Sequence, residues 1–528
     1  MAKYKEYGYD IQDGKAIIPE WETEIKDKAF EYCKELTSVE LPQWIKKIGK
    51  QAFSGCENLT EITLPEWVEE IGGGAFCRCK NLKSITLSRW VKKIGDSAFY
   101  GCSSLTSITI PPSVTKIGDF AFSDCSSLTN ITIPPSVTKI GKDAFFGCSS
   151  LTSISIPPSV TEIGSLAFSG CYSLTSISIP PSVTEIGYEA FWGCSSLTSI
   201  SIPPSVTEIG EGTFYWCSSL TSITIPPSVT EIGKEAFYWC SSLTNISIPP
   251  SVTEIGEHAF WGCKSLTSIT ISGFMTKIAP NAFKGCKNLT HAEGPAFIVR
   301  NLPRKQLTSF VVSEGETKIA KSAFSDCSSL TSITIPPSVT EIGELAFYSC
   351  FCLTSITIPP SVTEIGEDAF CLCSNLTSIA IPPSVTEIGP YAFSWCSSLT
   401  SITVSKDNKF YDSREDCNAL IHTESNTLIR GCEKTIIPES VTEIAKYAFN
   451  GCSSLTSISI PPSVTEIGSL AFSGCSSLTS ISIPPTVKEI GFRAFCNCSS
   501  LTEVRIPKDC NVHYNAFEDC PNVQIIRY

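Results

Sequence analysis

Hydrophobic and polar positions follow one another along this chain in a pattern that returns every 23 residues. In the segment Cys102–Phe122, Ile108 and Ile110 lie two residues apart, with the polar residues Ser107 and Thr109 beside them. This spacing is typical of a strand whose isoleucines point inward and whose polar side chains point outward. The pattern therefore predicts a short strand at the same place in every repeat.

The rest of the repeat predicts how the chain turns back. Pro111 and Pro112 end the strand, because proline has no N–H for a strand ladder and holds the preceding residue extended. We expect Gly118 to adopt a positive φ at a sharp bend, since glycine does so without steric cost. Ala121 and Phe122 are expected on a short helical or 3₁₀ turn, with Phe122 as the largest side chain of the core.

A cysteine marks the register of the repeat. It recurs at 23-residue spacing in three runs: Cys33, Cys56, Cys79, Cys102, Cys125, Cys148, Cys171, Cys194, Cys217, Cys240, Cys263 and Cys286, then Cys327, Cys350, Cys373 and Cys396, and then Cys452, Cys475 and Cys498. A fixed period of this size predicts a solenoid, in which each repeat is one coil. A single coil cannot bury its apolar side chains, so neighbouring coils are expected to stabilise one another through parallel strands.

The full pattern, C-x-x-L-x-x-I-x-I-P-x-x-V-x-x-I-G-x-x-A-F, resembles the BspA-like (Treponema-type) leucine-rich repeat family from about Ile17 to Tyr528. The expected fold is an α/β solenoid of mostly short parallel β-strands with short helical or 3₁₀ turns, and the resemblance implies a right-handed leucine-rich-repeat superhelix. It also implies non-enzymatic binding, because family members are often bacterial surface proteins that attach to host matrix proteins or to other cells.

The repeat predicts a simple domain organisation for a chain of 528 residues. Residues 1–16 are polar and aromatic and are expected to cap the first coil, because the end coil of a solenoid exposes its core. Residues 17–528 are expected to form a single continuous solenoid, with irregular coils at about 287–318 and 397–447. The second irregular coil contains two apolar segments that predict an antiparallel hairpin: Ala419–His422 and Thr427–Arg430.

Aromatic side chains shortly after Ala-Phe form the candidate binding surface, which we call the aromatic ledge. They fall on four consecutive coils and are expected to cluster on the side away from the strands: Trp192, Tyr215, Trp216, Tyr238, Trp239 and Trp261. Exposed aromatic clusters indicate binding sites, while mutual packing along the turn is the alternative interpretation. The strand face carries small uncharged residues such as Ser199 and Thr224, and therefore favours no tight ligand.

Two further columns repeat at the same spacing. Four tryptophans replace the serine of later coils and are expected to stack, either as a packing column or as a partner-binding surface: Trp21, Trp44, Trp67 and Trp90. Glutamates before Ile-Gly are typical of a solvated face, with a divalent cation between them as the alternative: Glu162, Glu185, Glu208, Glu231 and Glu254.

The chain shows no residue pattern of an enzyme, a cofactor site or a metal site. Neither a G-x-S-x-G elbow nor a Walker A loop occurs, and the histidines are scattered without metal-ligand spacing: His258, His291, His422 and His513. Most of the 27 cysteines repeat beside Ala-Phe, which predicts buried, reduced thiols, among them Cys125, Cys148 and Cys171. We therefore expect no enzyme and no cofactor.

Charge and hydropathy limit the expected partners. A formal net charge of −13 argues against nucleic acid, which needs a basic surface. No apolar segment approaches the roughly 18 residues of a transmembrane helix, so no membrane insertion is expected. Met1–Asp10 lacks the apolar segment of a signal peptide. Localisation stays open: the cell surface or secretion by the resemblance, and the cytoplasm if the missing signal peptide is genuine.

Three functions follow from these observations. The resemblance favours a non-enzymatic module for protein binding and adhesion, attached to host matrix proteins or bacterial surface proteins. An intracellular protein-interaction scaffold is the first alternative, and it rests on the missing leader. Glycan binding through the aromatic ledge is the second alternative.

Overall fold

The computed structural model describes residues 3–273 and 275–528. The chain separates into two compact units, Met1–Leu289 and Thr290–Tyr528. Within each unit, a strand of one coil pairs in parallel with the equivalent strand of the next coil, as Ile108 does with Ile131. Each unit is therefore a β-solenoid, as the repeat predicts. A single continuous solenoid over residues 17–528 and its right-handed superhelix stay predictions.

Most regular coils of Met1–Leu289 contain two strands, which form two ladders. The first ladder carries the predicted strand: Ser38–Val39, Glu61–Thr63, Ser84–Thr86, Ser107–Thr109, Asn130–Thr132, Ser153–Ser155, Ser176–Ser178, Ser199–Ser201, Ser222–Thr224, Asn245–Ile248 and Ser268–Ile271. The second ladder lies just before the repeat position that Gly118 occupies: Glu24–Ile25, Lys47–Ile48, Glu70–Ile71, Lys93–Ile94, Lys116–Ile117, Lys139–Ile140, Glu162–Ile163, Glu185–Ile186, Glu208–Ile209, Glu231–Ile232, Glu254–Ile255 and Lys277–Ile278. A short helix, Lys3–Glu6, and an antiparallel pair, Asp10–Gln12 with Lys15–Ile17, precede both ladders.

Thr290–Tyr528 repeats the two ladders. Its first-ladder strands are His291–Gly294, Ser309–Val312, Ser332–Thr334, Ser378–Ile381, Ser401–Val404, Ser480–Ser482, Glu503–Ile506 and Gln524–Arg527. Its second-ladder strands are Lys318–Ile319, Glu341–Ile342, Glu364–Ile365, Glu387–Ile388, Glu443–Ile444, Glu466–Ile467, Glu489–Ile490 and Asn511–Val512. The long coil adds Tyr411–Asp412 and a hairpin in which Leu420–His422 pairs antiparallel with Thr427–Arg430, which confirms the predicted hairpin.

The predicted helical turns are wrong, so the fold is β rather than α/β. After the second-ladder strand the chain forms turns whose N–H groups bond to the next coil, as Phe122 N–H donates to the Ala144 carbonyl at 2.8 Å. These donors are therefore not available for helical bonds within their own turn. Among the described residues, helix is limited to Lys3–Glu6 and three 3₁₀ segments outside the regular coils: Ala296–Asn301, Arg304–Gln306 and Arg414–Asp416.

A column of stacked phenylalanines forms the centre of the core. From Phe30 to Phe283, neighbouring ring centroids lie 5.1–5.6 Å apart, with ring planes within 16° of each other. Tyr4 and Tyr9 stack on Phe30, each with its centroid 5.7 Å away. Because each ring contacts one ring above and one below, the core grows by one aromatic layer per coil.

The repeat cysteines lie beside this column. All 27 cysteines belong to the described residues and are free. Cys125, Cys148 and Cys171 are fully buried, and each Sγ donates to a phenylalanine carbonyl 26 residues earlier at 3.2–3.3 Å. Burial raises the pKa of Cys171 to about 12, so its thiol stays a neutral donor. The predicted burial is confirmed.

Gly118 has a different role from the predicted one. Its φ lies outside the left-handed region, and a Cβ added to it would lie 2.6 Å from Asp96 Oδ1 and 2.8 Å from the Asp96 nitrogen. Glycine is needed here because the preceding coil approaches so closely. The left-handed positions of the same coil are held instead by Phe120 and Asp124, both with a φ of 57°.

Candidate binding surface

The six residues of the aromatic ledge form two neighbouring rows in the first unit. The inner row follows the buried phenylalanines directly and is half-buried: Trp192, Tyr215, Tyr238 and Trp261. Neighbouring ring centroids along this row lie 6.1, 4.5 and 6.2 Å apart. The predicted cluster is thus present, and its inner row packs ring on ring, as the alternative interpretation held.

The outer row consists of Trp216 and Trp239, which are 49% and 37% exposed. The Trp216 ring lies 6.2 Å from that of Trp192. Three ring atoms of Trp239 lie at nearly equal distances, 3.2–3.3 Å, from the place of a Cβ on Gly262. The Trp239 indole therefore lies flat against the next coil at Gly262, and 37% of the residue stays exposed.

Both outer-row tryptophans have left-handed backbones, with φ values of 60° for Trp216 and 57° for Trp239. The coils on either side hold Gly193 and Gly262 at this position. A residue other than glycine costs about 1–2 kcal/mol in this conformation. Other coils also place a residue other than glycine here in the left-handed conformation, as at Arg78, so this backbone belongs to the repeat and does not by itself mark a functional position.

Cations lie over the end of the ledge. The Lys264 Nζ lies 4.3 Å from the Trp239 ring centroid, and the Lys284 Nζ lies 4.6 Å from that of Trp261. Cation–π attraction holds ammonium groups at such distances. The ledge thus combines exposed aromatic faces with positive charge, which suits a partner surface that carries apolar and acidic side chains.

The strand face has the predicted character. Ser199 and Thr224 are exposed, while Ile200 between the strand's serines is 6% exposed. A threonine precedes most of these strands, and such a hydroxyl bonds within the protein, as Thr198 Oγ1 donates to the Thr175 carbonyl at 3.4 Å. This face offers a partner small polar groups and no large anchoring side chain.

The four N-terminal tryptophans do not stack, so that prediction is wrong. They are 44–79% exposed, and no ring-on-ring contact to them occurs among the described residues: Trp21, Trp44, Trp67 and Trp90. The serine of later coils bonds the preceding coil instead, as Ser113 Oγ donates to the Val91 carbonyl at 2.6 Å. An indole cannot take that place and extends into solvent, which creates a second exposed aromatic surface.

The glutamate column is in register, as predicted, where Glu208, Glu231 and Glu254 pair along the second ladder. At one end, Lys277 Nζ lies 3.4 Å from Glu254 Oε2. Within residues 3–273 and 275–528, no group of three acidic, histidine or cysteine side chains is placed to hold a metal ion. In the same residues, no helix is both long and apolar enough to cross a membrane.

Trp395 is a related residue that the sequence analysis missed. It is 42% exposed, has a φ of 58° and packs on Gly451 and Gly474 in the second unit. The sequence signal was present, because Trp395 lies in the motif Phe-x-Trp-Cys, and Trp216 and Trp239 lie in the same motif. The break in register after Cys396 separated it from the pattern of neighbouring coils.

Comparisons relate the chain to leucine-rich repeat proteins. A family model described as "BspA type Leucine rich repeat region (6 copies)" matches residues 23–150, 116–215, 207–299, 302–417 and 429–528. The solved leucine-rich repeat protein from Bacteroides ovatus is 24% identical over 98% of this chain and 97% of that chain, with a TM-score of 0.41. A leucine rich cell surface protein from Faecalibacterium prausnitzii is 29% identical over 63% of this chain and 87% of that chain, with a TM-score of 0.34. No curated protein matches the chain.

Proposed function

Because the chain belongs to the BspA type leucine-rich repeat family, we propose that it is a non-enzymatic protein-binding module whose aromatic ledge contacts the partner. Leucine-rich repeat proteins generally serve in protein interactions. Solenoids suit this role, since they present extended surfaces. The partner class we propose is a host matrix protein or a bacterial surface protein, in an adhesive role.

The outer row carries this proposal. Trp216 and Trp239 expose aromatic area in a backbone conformation that glycine would adopt without strain. Tryptophan adds large contact area at low cost in conformational entropy and is enriched among the residues that dominate binding energy. Lys264, which lies over Trp239, adds a charge that can steer an acidic partner.

The test replaces both tryptophans by the residue of the neighbouring coils. Binding of the full chain and of the variant Trp216→Gly/Trp239→Gly is measured by surface plasmon resonance on immobilised fibronectin, laminin and collagen. We expect the double variant to lose about 2 kcal/mol of binding energy, roughly 30-fold in Kd, with an unchanged melting temperature.

Trp395→Gly is the matched control, because it removes an exposed, left-handed tryptophan from the same place in a coil outside the ledge. It is expected to bind as the unmodified chain does. Equal affinity of a folded double variant and the unmodified chain would exclude the ledge, and no binding to any of the matrix proteins would exclude that partner class.

Glycan binding is a second candidate, favoured by the Trp239 indole that lies flat over Gly262. A sugar ring can stack on the exposed part of such an indole. A glycan array probed with the unmodified chain and with the double variant separates this function from protein binding, because only glycan binding predicts spots that the double variant loses.

A further inference from the structure

A cleft of about 580 Å³ lies beside the long coil of the second unit. Its walls come from three segments: 388–394, the hairpin region 422–430 and the second-ladder region 443–447. Pockets of this volume hold one small molecule. The strand Thr427–Arg430 of the long coil pairs in parallel with Glu443–Ile444, and both contribute residues to the lining of the cleft.

One wall of the cleft is aromatic and positively charged. The rings of Tyr391 and Tyr447 meet edge to face with centroids 4.2 Å apart. Lys446 Nζ lies 5.5 Å and 5.1 Å from these two centroids and donates to Tyr391 Oη at 3.1 Å. Lys446 is exposed, and no carboxylate of the described residues lies within 4.0 Å of its Nζ. Its charge is therefore available to an anion in the cleft.

A second cation lies beneath the cleft. Arg430 is 3% exposed, and its Nη1 donates to the carbonyls of Tyr447 at 3.3 Å and Asn450 at 3.0 Å. Its Nε has no hydrogen-bond partner among the described residues, and no carboxylate of that part of the chain pairs with it. Arginine stays charged in proteins, so an unpaired positive charge remains below the cleft. A buried charge of this kind attracts a compensating anion.

The opposite wall is a chain of hydrogen-bonding groups. His422 Nδ1 lies 2.9 Å from Ser425 Oγ, which donates to Thr427 Oγ1 at 2.8 Å. Thr427 Oγ1 in turn donates to Glu443 Oε2 at 3.2 Å. The two hydroxyls both donate and accept and the Glu443 carboxylate accepts, which suits a ligand with several hydroxyl groups.

From these two walls and the buried cation we propose that the cleft binds a sugar that carries a carboxylate. The carboxylate lies against Lys446, with the charge of Arg430 behind it. The sugar ring packs on Tyr391 and Tyr447, and its hydroxyls bond the Ser425 to Glu443 wall. The cleft belongs to the second unit and the ledge to the first, so this site goes beyond the function proposed above.

Three small probes test the site on the full chain by calorimetry. Methyl glucuronide carries both the sugar and the charge, methyl glucoside only the sugar, and N-acetylglutamate only the carboxylate chemistry. We expect methyl glucuronide to bind at least about tenfold more tightly than either of the others, because it alone satisfies both walls. Equal binding of methyl glucoside, or of N-acetylglutamate, would overturn the proposal, as would the absence of methyl glucuronide binding.

Lys446→Ala locates the binding. It is an exposed substitution that leaves the core intact, and we expect it to weaken methyl glucuronide binding by about tenfold. Lys321→Ala is the matched control, since Lys321 also follows Ile-Ala in its coil but pairs with Glu344 at 2.7 Å, outside the cleft. Unchanged binding in Lys446→Ala, or an equal loss in Lys321→Ala, would place the sugar elsewhere and contradict the proposal.

Discussion

Two kinds of coil contact their neighbours in different ways: the regular coils from Cys102 to Cys286, and the long coil between Cys396 and Cys452. In a regular coil, the cysteine thiol and most repeated hydroxyls bond the preceding coil, and a phenylalanine fills the centre. In the long coil, Gly431 makes the backbone bond that a phenylalanine makes elsewhere, donating to the Ala448 carbonyl at 2.8 Å, and Arg430 is buried without a carboxylate partner.

The difference teaches where function is to be sought in a repeat protein. The side chains at repeated positions make the contacts between neighbouring coils, and these contacts specify the fold. Positions that depart from the repeat leave side chains turned outward, as Trp216 and Trp239 are, or without a carboxylate partner, as Arg430 is. The predictions below change one or the other class of position.

The largest expected effect comes from alkaline pH acting on the repeated thiols. Burial raises the pKa of Cys171 from its ordinary value of 9.0 to about 12. Its contribution to stability is therefore complete below pH 9 and declines as the pH rises toward 12, by about 1.4 kcal/mol per pH unit for each such thiol. Because many thiols act together, we expect the melting temperature to fall steeply between pH 9 and pH 11, within the range that these two pKa values set.

A triple variant isolates this effect. Cys125→Ala/Cys148→Ala/Cys171→Ala removes three of the titrating thiols, so its melting temperature should fall less between pH 9 and pH 11 than that of the unmodified chain. An identical fall in both would mean that other groups cause the alkaline loss.

The next largest expected effect is a difference in stability loss between alanine variants of two adjacent phenylalanines. Phe145 is fully buried in the central column, whereas Phe146 is only half-buried. Phe145→Ala should destabilise the protein by about 3–5 kcal/mol through the cavity that it leaves. Phe146→Ala should cost well under half of that, as measured by urea unfolding. Similar losses would show that the column is not the main source of core stability.

A smaller effect concerns the close approach of coils. A Cβ on Gly141 would lie 2.7 Å from the Gly118 backbone, whereas a Cβ on Gly210 meets nothing closer than 3.7 Å. Gly141→Ala should therefore cost about 2–3 kcal/mol, and Gly210→Ala less than about 0.5 kcal/mol. Equal costs in urea unfolding would contradict the close-approach account.

The sequence predicted the coil, its buried apolar residues and the hairpin of the long coil, because each has a local periodic signal. The second ladder escaped prediction, since its strands have two residues and show no alternation, as in Lys116–Ile117. The left-handed Phe120 escaped it too, because an exposed phenylalanine carries no turn signal.

The candidate sites were only partly predictable. The ledge residues share one place in consecutive coils, so the 23-residue period alone brings them together. The cleft has no such signal: Tyr391 and Lys446, which line it, are 55 residues apart, and only the path of the long coil makes them neighbours. The outward turn of Trp21 depended on side-chain orientation, which periodicity does not specify.

The central claim is that departures from the repeat carry binding and repeated positions carry the fold. The most direct test measures two quantities in two variants of the first unit. These are the affinity for a matrix protein that the unmodified chain binds, and the melting temperature. We expect Trp216→Gly/Trp239→Gly to weaken binding by about 2 kcal/mol without lowering the melting temperature. Ser199→Ala/Thr224→Ala, on the repeated strand face, should change affinity by no more than about 0.5 kcal/mol. Full affinity in the tryptophan variant together with a loss in the serine–threonine variant would contradict the claim and place binding on the strand face.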